Sequence, residues 1–269
     1  MSWVARARKI VVRDPEEAAA PGVHPTPFWS VRPKSDREAG DAIASNFLLH
    51  WFPAKVSKAS LDWSYSFWLG TISAALLLLL TVSGFPLMFL YIPSVERAYQ
   101  SVKDIEFVIS FGSWIRAVHR ISAHLMVVTV FLHLVRVFLT GAYKNGAGRG
   151  QRRQVNWVLG VVMLLLTLFL SFTGYLLPWD QLAFWAVTVG TNMAAATPML
   201  GAEGPFHDRF GITSMNDLRF LLLGDMKVGG NALLRFYVLH CVGLPLVAIV
   251  LMMAHFWRVR KDGGISRAL

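Results

Sequence analysis

Four long apolar runs restrict this chain to a small set of folds. Crossing about 30 Å of hydrocarbon takes roughly 20 helical residues. Runs of that length cover about Trp63 to Tyr91, Trp114 to Thr140, Val155 to Leu177 and Leu233 to Trp257. The first stops at Ile92-Pro93 and the third at Pro178, where proline cannot continue a helix. In lipid every backbone N–H and C=O must be satisfied within the protein, so each run is read as a helix. With 55% hydrophobic and only 16% charged residues, the chain is expected in a membrane and not free in water. The expected fold is an all-α, four-transmembrane-helix bundle.

The remaining segments are expected at the membrane surface. Residues 1–45 are polar and hold Pro15, Pro21, Pro25, Pro27 and Pro33. They read as a tail on the surface or on a partner, without a core of their own. The bundle domain is placed at residues 46–269, and residues 46–60 mix aromatics with lysines in a way that suits the interface. The first residues lack a signal-peptide apolar core, so span one is expected to insert and remain. Trp179 to Met193 is apolar but too short to cross, and is expected as a surface helix between spans three and four. No repeat of fixed period stands out.

The net charge of +10 fits a nucleic-acid partner less well than it fits one basic membrane face. Nine Lys/Arg precede span one; Lys144, Arg149, Arg152 and Arg153 follow span two; Arg258, Arg260, Lys261 and Arg267 end the chain. With four spans these segments share a face, and the positive-inside rule puts both termini on the cytoplasmic side, the n-side. Cys241 is the only cysteine, which excludes an intrachain disulfide and a CxxCH attachment motif.

Ionisable side chains inside spans need a functional reason. Span two carries His119 and His133, 14 residues apart; span four carries His240 and His255, 15 apart. At about 100° per residue the first pair falls 40° short of four turns and the second about 60° past. Each pair shares a face and is separated by about 21 or 22 Å along its axis. Spans two and four run parallel, which sets His119 level with His240 and His133 level with His255. This arrangement fits two stacked haems, each held by two imidazoles. Such iron is six-coordinate and suited to electron transfer.

Glycines in the other two spans keep the same period. Gly70 and Gly84 are 14 apart in span one, as are Gly160 and Gly174 in span three. Lacking Cβ, they would let a flat macrocycle approach the backbone. Gly84 and Gly174 fall at the depth of His119 and His240, on the p-side. Gly70 and Gly160 fall at the depth of His133 and His255. Arg116 lies three residues before His119 and Arg136 three after His133, placing each a turn nearer water as an expected propionate partner. His124 falls on neither ligand face and reads as packing or a polar contact. Arg120 and Cys241 are rotated away from their neighbouring histidines. His24, His50 and His207 belong to tails or loops.

These residues are familiar as a set. RAVHRISAHLMVVTVFLHLVRVFLTGAYK resembles the second helix of the cytochrome b family. GYLLPWDQLAFWAVTVGTNM resembles the segment after its third helix, and RFYVLH with AHFWRVRKDGGISRAL its fourth helix and tail. The resemblance covers roughly residues 50–269. Four helices and the 15-residue spacing resemble the short, cytochrome b6-type form.

The resemblance implies a haem b subunit of a bacterial bc-type quinol oxidoreductase. His119 and His240 would ligate the p-side haem, and His133 and His255 the n-side haem. It implies quinol oxidation near Gly174, Tyr175, Pro178, Trp179, Phe184 and Trp185, and a quinone site near Arg260. One electron of quinol would cross to n-side quinone with proton translocation, and the other would leave through a Rieske iron–sulfur protein and a cytochrome c subunit. The acidic PEWY-type motif is absent from this chain, so a second cytochrome b half, similar to subunit IV, is expected as a partner. A homodimeric complex in a bacterial inner membrane is also implied. The short photosynthetic form carries an extra haem on a cysteine; alignment on Gly70 and Gly84 puts Trp68 there, which cannot form a thioether. The alternatives are another diheme membrane anchor, of the kind serving formate dehydrogenases or hydrogenases, and a haem-free structural or transport subunit.

Overall fold

The computed structural model describes residues 63–145 and 152–262. The tail at 1–45, the interfacial segment at 46–60, His24, His50, Arg149 and Arg267 lie outside the described residues. Every regular element among the described residues is helical. Among the described residues four helices are long and apolar enough to cross a membrane: Leu69–Leu90, Gly112–Leu139, Arg153–Leu176 and Gly230–Lys261.

A one-turn helix, α1 (Trp63–Ser66), precedes span one, α2 (Leu69–Leu90). The apolar run starts at Trp63, but the helix breaks at Phe67 and Trp68, whose φ values of 48° and 52° are left-handed. Such values are uncommon for bulky residues and interrupt an α-helix. The remaining 22 residues still rise about 33 Å, enough for one crossing.

Helix α3 (Ala98–Phe107) follows, an element that hydropathy does not single out. Its buried Ala98, Ser101 and Ile105 recur at helical spacing. It packs on span two, α4 (Gly112–Leu139), so closely that a Cβ on Gly112 would meet the Ile105 carbonyl oxygen. Span three is α5 (Arg153–Leu176). Helix α6 (Gln181–Ala195) starts at Asp180, whose carboxylate accepts the Ala183 N–H at 2.8 Å, a normal N-cap. It buries Ala183, Val187, Thr191 and Ala195, one residue per turn, and exposes Leu182, Trp185, Val189 and Met193. A 3-10 turn at His207–Phe210 and α7 (Leu218–Leu223) complete this connection.

Span four is built from α8 (Gly230–Val238), a π-turn at Leu239–Gly243 and α9 (Leu244–Lys261). The Leu244 N–H reaches back five residues to the Leu239 carbonyl. Pro245 follows directly, and its missing N–H removes the bond that would hold an ordinary α-turn there.

Each span packs beside the next in chain order, and the π-turn of span four also packs beside α2. Spans two and four therefore stand diagonally, as do spans one and three. The densest core lies at the end carrying α3, α6 and α7, around Tyr91, Ile105, Leu176, Val187, Leu223, Leu233 and Phe236. There the Tyr91 hydroxyl donates to the Leu177 carbonyl at 2.6 Å, and the Tyr237 hydroxyl to the Met88 carbonyl at 3.1 Å. At the opposite end Arg258 donates to both Asp262 carboxylate oxygens at 2.7 and 3.0 Å. Asp262 also accepts the Arg152 backbone N–H at 3.0 Å, fastening the end of span four to the start of span three.

Candidate functional site

The diagonal pairing turns four histidines toward one another. The His119 and His240 rings lie 6.2 Å apart, centroid to centroid, with planes at 77°. The His133 and His255 rings lie 6.5 Å apart at 78°. The pairing by depth read from the spacing is thus present in the fold. The π-turn explains how unequal spacings reach the same geometry. It takes up one residue, so the 15 residues of span four turn through about the angle of 14, matching span two.

The pairs have the dimensions of a shared metal between two imidazoles. A metal–imidazole bond of about 2.0–2.1 Å, plus about 1.1 Å from nitrogen to ring centre, gives centroids about 6.3 Å apart. Among the described residues no three His, Cys, Asp or Glu side chains gather. Two facing imidazoles are a donor set that fits a flat macrocycle held between them.

Neighbouring spans fix the ring orientation of the first pair. His240 Nδ1 donates to the Leu170 carbonyl at 3.0 Å, and Thr173 Oγ1 lies 3.2 Å away. The carbonyl can only accept, so Nδ1 holds the proton and Nε2 keeps its lone pair for a metal. Ser83 Oγ donates to the Leu79 carbonyl at 2.7 Å and stands 3.0 Å from His119 Nδ1, whose proton it is placed to accept. Ser83 and Thr173 are buried. Sequence reasoning missed both, although a readable signal exists: each is a hydroxyl residue immediately before a period-keeping glycine.

Three of the four glycines back an imidazole. A Cβ on Gly84 would lie 3.1 Å from His119 Cε1, one on Gly70 3.1 Å from His133 Cε1, and one on Gly174 2.6 Å from His240 Cε1. The close approach in this structure is glycine to imidazole ring. Gly160 differs, since its nearest neighbour would be Leu134 Cδ1 at 3.5 Å. His255 instead faces the Asn156 backbone, and its Nδ1 is buried without hydrogen-bond geometry to any described residue. Asn156 Oδ1 and Trp157 Nε1 are likewise buried and unbonded among the described residues. These polar atoms on α5 were not anticipated.

Other sequence candidates are more scattered. Arg116 is engaged by Glu106 of α3 at 2.7 Å. Arg136 occupies the last turn of α4, one turn beyond His133, with Nη2 buried. Gly174, Tyr175, Pro178, Trp179, Phe184 and Trp185 lie along the chain through the α5–α6 corner. There Phe184 stands edge-on to Trp179 and Trp185 at 5.9 and 5.5 Å, while Tyr175 and Trp185 are exposed. Arg260 lies at the far end in the last turn of α9. A 410 Å³ cavity lies elsewhere, within the connection around Glu203, His207, Asp217 and Arg219, and includes none of those corner residues. His207 Nδ1 contacts Asp208 and the Ile212 carbonyl, both at 3.2 Å. His124 is exposed on the outer face of α4, not packed, because the residues around it face away from every neighbouring span.

Comparison with known proteins gives the family. The Cytochrome b/b6/petB family model matches residues 55–263. Cytochrome b6 of Heliomicrobium gestii is 39% identical over 197 residues, covering 73% of this chain and 83% of that protein. Cytochrome b6 of Mesostigma viride is 39% identical over 195 residues, covering 72% and 81%. A chain of a hyperthermophilic respiratory Complex III superposes with a TM-score of 0.62 at 28% identity, over 76% of this chain. The match spans 49% of that longer chain. With its four apolar helices and facing histidines, the chain belongs to the cytochrome b family, as a cytochrome b6-type, multi-pass, haem b membrane subunit for electron transfer.

Proposed function

We propose that this subunit takes an electron from quinol on the p-side and delivers it to a quinone site on the n-side, coupled to proton translocation, within a bc-type quinol:cytochrome c oxidoreductase. The observation that carries the reading is the two pairs of facing imidazoles, at 6.2 and 6.5 Å, one pair toward each end of the bundle. His119 and His240 would hold a haem b near the p-side, and His133 and His255 a second near the n-side. When bound, two haems b supply one-electron carriers across the bilayer.

The chain's own residues prepare those positions. Leu170 and Ser83 hold the protons of His240 and His119 on Nδ1, leaving Nε2 to bind iron. A haem held by both imidazoles of a pair would be suited to electron transfer rather than oxygen binding. Gly70, Gly84 and Gly174 give three of the rings room to stand upright against the neighbouring span. Gly160, Arg116 and Arg136 are assigned to the surroundings of the haems. Gly174, Tyr175, Pro178, Trp179, Phe184 and Trp185 would line quinol oxidation, and Arg260 the n-side quinone site. Trp68 cannot form a thioether, so no covalent haem is assigned there.

The chain would act with a second cytochrome b half carrying the PEWY-type motif, a Rieske iron–sulfur protein and a cytochrome c subunit, in a homodimeric complex. It is placed in a bacterial inner membrane, with both termini cytoplasmic and residues 1–45 as a tail before the 46–269 bundle. The test is a redox-titrated visible spectrum with pyridine haemochrome and acid-acetone extraction. Two extractable haems b per chain with separate midpoints are expected. One haem, or none, overturns the four-histidine assignment.

A further inference from the structure

His124 occupies the middle of span two, 12 residues from Gly112 and 15 from Leu139. That is about 18 and 22 Å from the two helix ends. It stands about 140° around the helix from His119 and 180° from His133, so it points away from the bundle centre. Arg120, four residues earlier, shares its face. Both are exposed, and neither makes a hydrogen bond, ion pair or ring contact among the described residues. Around them Ile121, Leu125 and Val128 are apolar and exposed. An imidazole and a guanidinium facing hydrocarbon are unfavourable, and intramembrane ionisable groups pair with another polar group. Arg120 could snorkel toward the p-side headgroups. His124 is too deep for that.

We propose that the Arg120–His124 ridge receives an Asp or Glu side chain from a transmembrane helix of a different subunit. Charge decides the occupant. The four spans of this chain contain no Asp or Glu, so a second copy has no carboxylate to offer at this depth. A second copy meeting the ridge about a two-fold axis would set Arg120 against Arg120. The inference rests on the reading of this chain as one membrane subunit of a larger complex.

The test places a photo-crosslinking benzoylphenylalanine at Val128, one turn from His124 on the same face, in the full-length chain within its native complex. Irradiation is expected to join Val128 to a membrane span of another chain that contains Asp or Glu. Arg120→Leu with His124→Leu is expected to lower the adduct yield about tenfold, the scale of one intramembrane polar contact. Arg120→Lys, which keeps the charge, is expected to retain the adduct with a normal haem spectrum. Adducts with lipid alone, with this chain itself, or with a span lacking acid overturn the proposal, as does an unchanged yield in the double variant. Haem content is read on each sample. Its loss in the unsubstituted complex counts against the haem assignment, whereas a changed adduct at constant haem concerns the ridge alone.

Discussion

Gly174→Ala tests the site most sharply, because the added methyl has a defined collision. It would stand 2.6 Å from His240 Cε1, 3.0 Å from Nδ1 and 3.1 Å from Nε2. Ordinary contact begins near 3.4 Å, so the ring must retreat by about 0.8 Å. Its Nδ1 is held at 3.0 Å by the Leu170 carbonyl and faces Thr173 at 3.2 Å, so displacement also breaks those contacts. Metal–ligand distances tolerate only about 0.2 Å. The p-side haem should therefore be lost or left with one axial ligand, while the n-side haem remains. Gly160→Ala is the control: its methyl meets only Leu134 at 3.5 Å, and alanine favours a helix by about 0.5–1 kcal/mol. Gly70→Ala and Gly84→Ala, at 3.1 Å, demand about 0.3 Å of ring movement and fall between. Haemochrome per purified chain should rank Gly160→Ala with the unsubstituted protein, then Gly70→Ala and Gly84→Ala, then Gly174→Ala. Full haem content with unchanged midpoints in Gly174→Ala would refute the reasoning.

Replacing His133 or His255 with Ala should remove only the n-side haem, and replacing His119 or His240 only the p-side haem, leaving one extractable haem in each case. Ser83→Ala removes one of two contacts at His119, the Leu80 carbonyl remaining, so the imidazole donates a little less strongly and the p-side midpoint should rise slightly in a redox titration. Thr173→Val should shift it by a similar small amount, since Leu170 likewise still holds His240. Asp262→Asn breaks a buried pair with Arg258, and thermal unfolding in detergent should show a loss of about 3–5 kcal/mol. Glu106→Gln at the half-exposed Arg116 pair should cost about 1 kcal/mol or less by the same measurement.

The parts of this fold legible in the sequence are those set by one repeating physical requirement. Hydrocarbon thickness marks the spans, and helical rotation marks the histidine faces. Features set by local backbone geometry were not legible. Phe67 and Trp68 adopt left-handed φ, which nothing about two aromatic residues announces. Helix α3 is too polar for hydropathy to mark, although Ala98, Ser101 and Ile105 carry its face. The partner of Arg116 was missed because Glu106 is brought there by α3 folding back on α4. The glycine period was readable, but spacing alone did not show that Gly70, Gly84 and Gly174 each stand against an imidazole ring. It also made Gly160 look equivalent to the other three. Ser83 and Thr173 were overlooked because small hydroxyl residues are common in apolar helices, where they usually bond the preceding turn.

The π-turn gives span four a link of slack. Leu239–Gly243 holds one residue more than the helical path requires, so a single deletion there would tighten the turn and leave the facing of His255 nearly unchanged. The same deletion inside α9, between Leu244 and His255, would swing His255 by about 100°. Residue count between two ligands is therefore a poor ruler across this turn. The number of hydrogen-bonded turns is the sound one, and by that measure the two histidines of span four stand as far apart as those of span two.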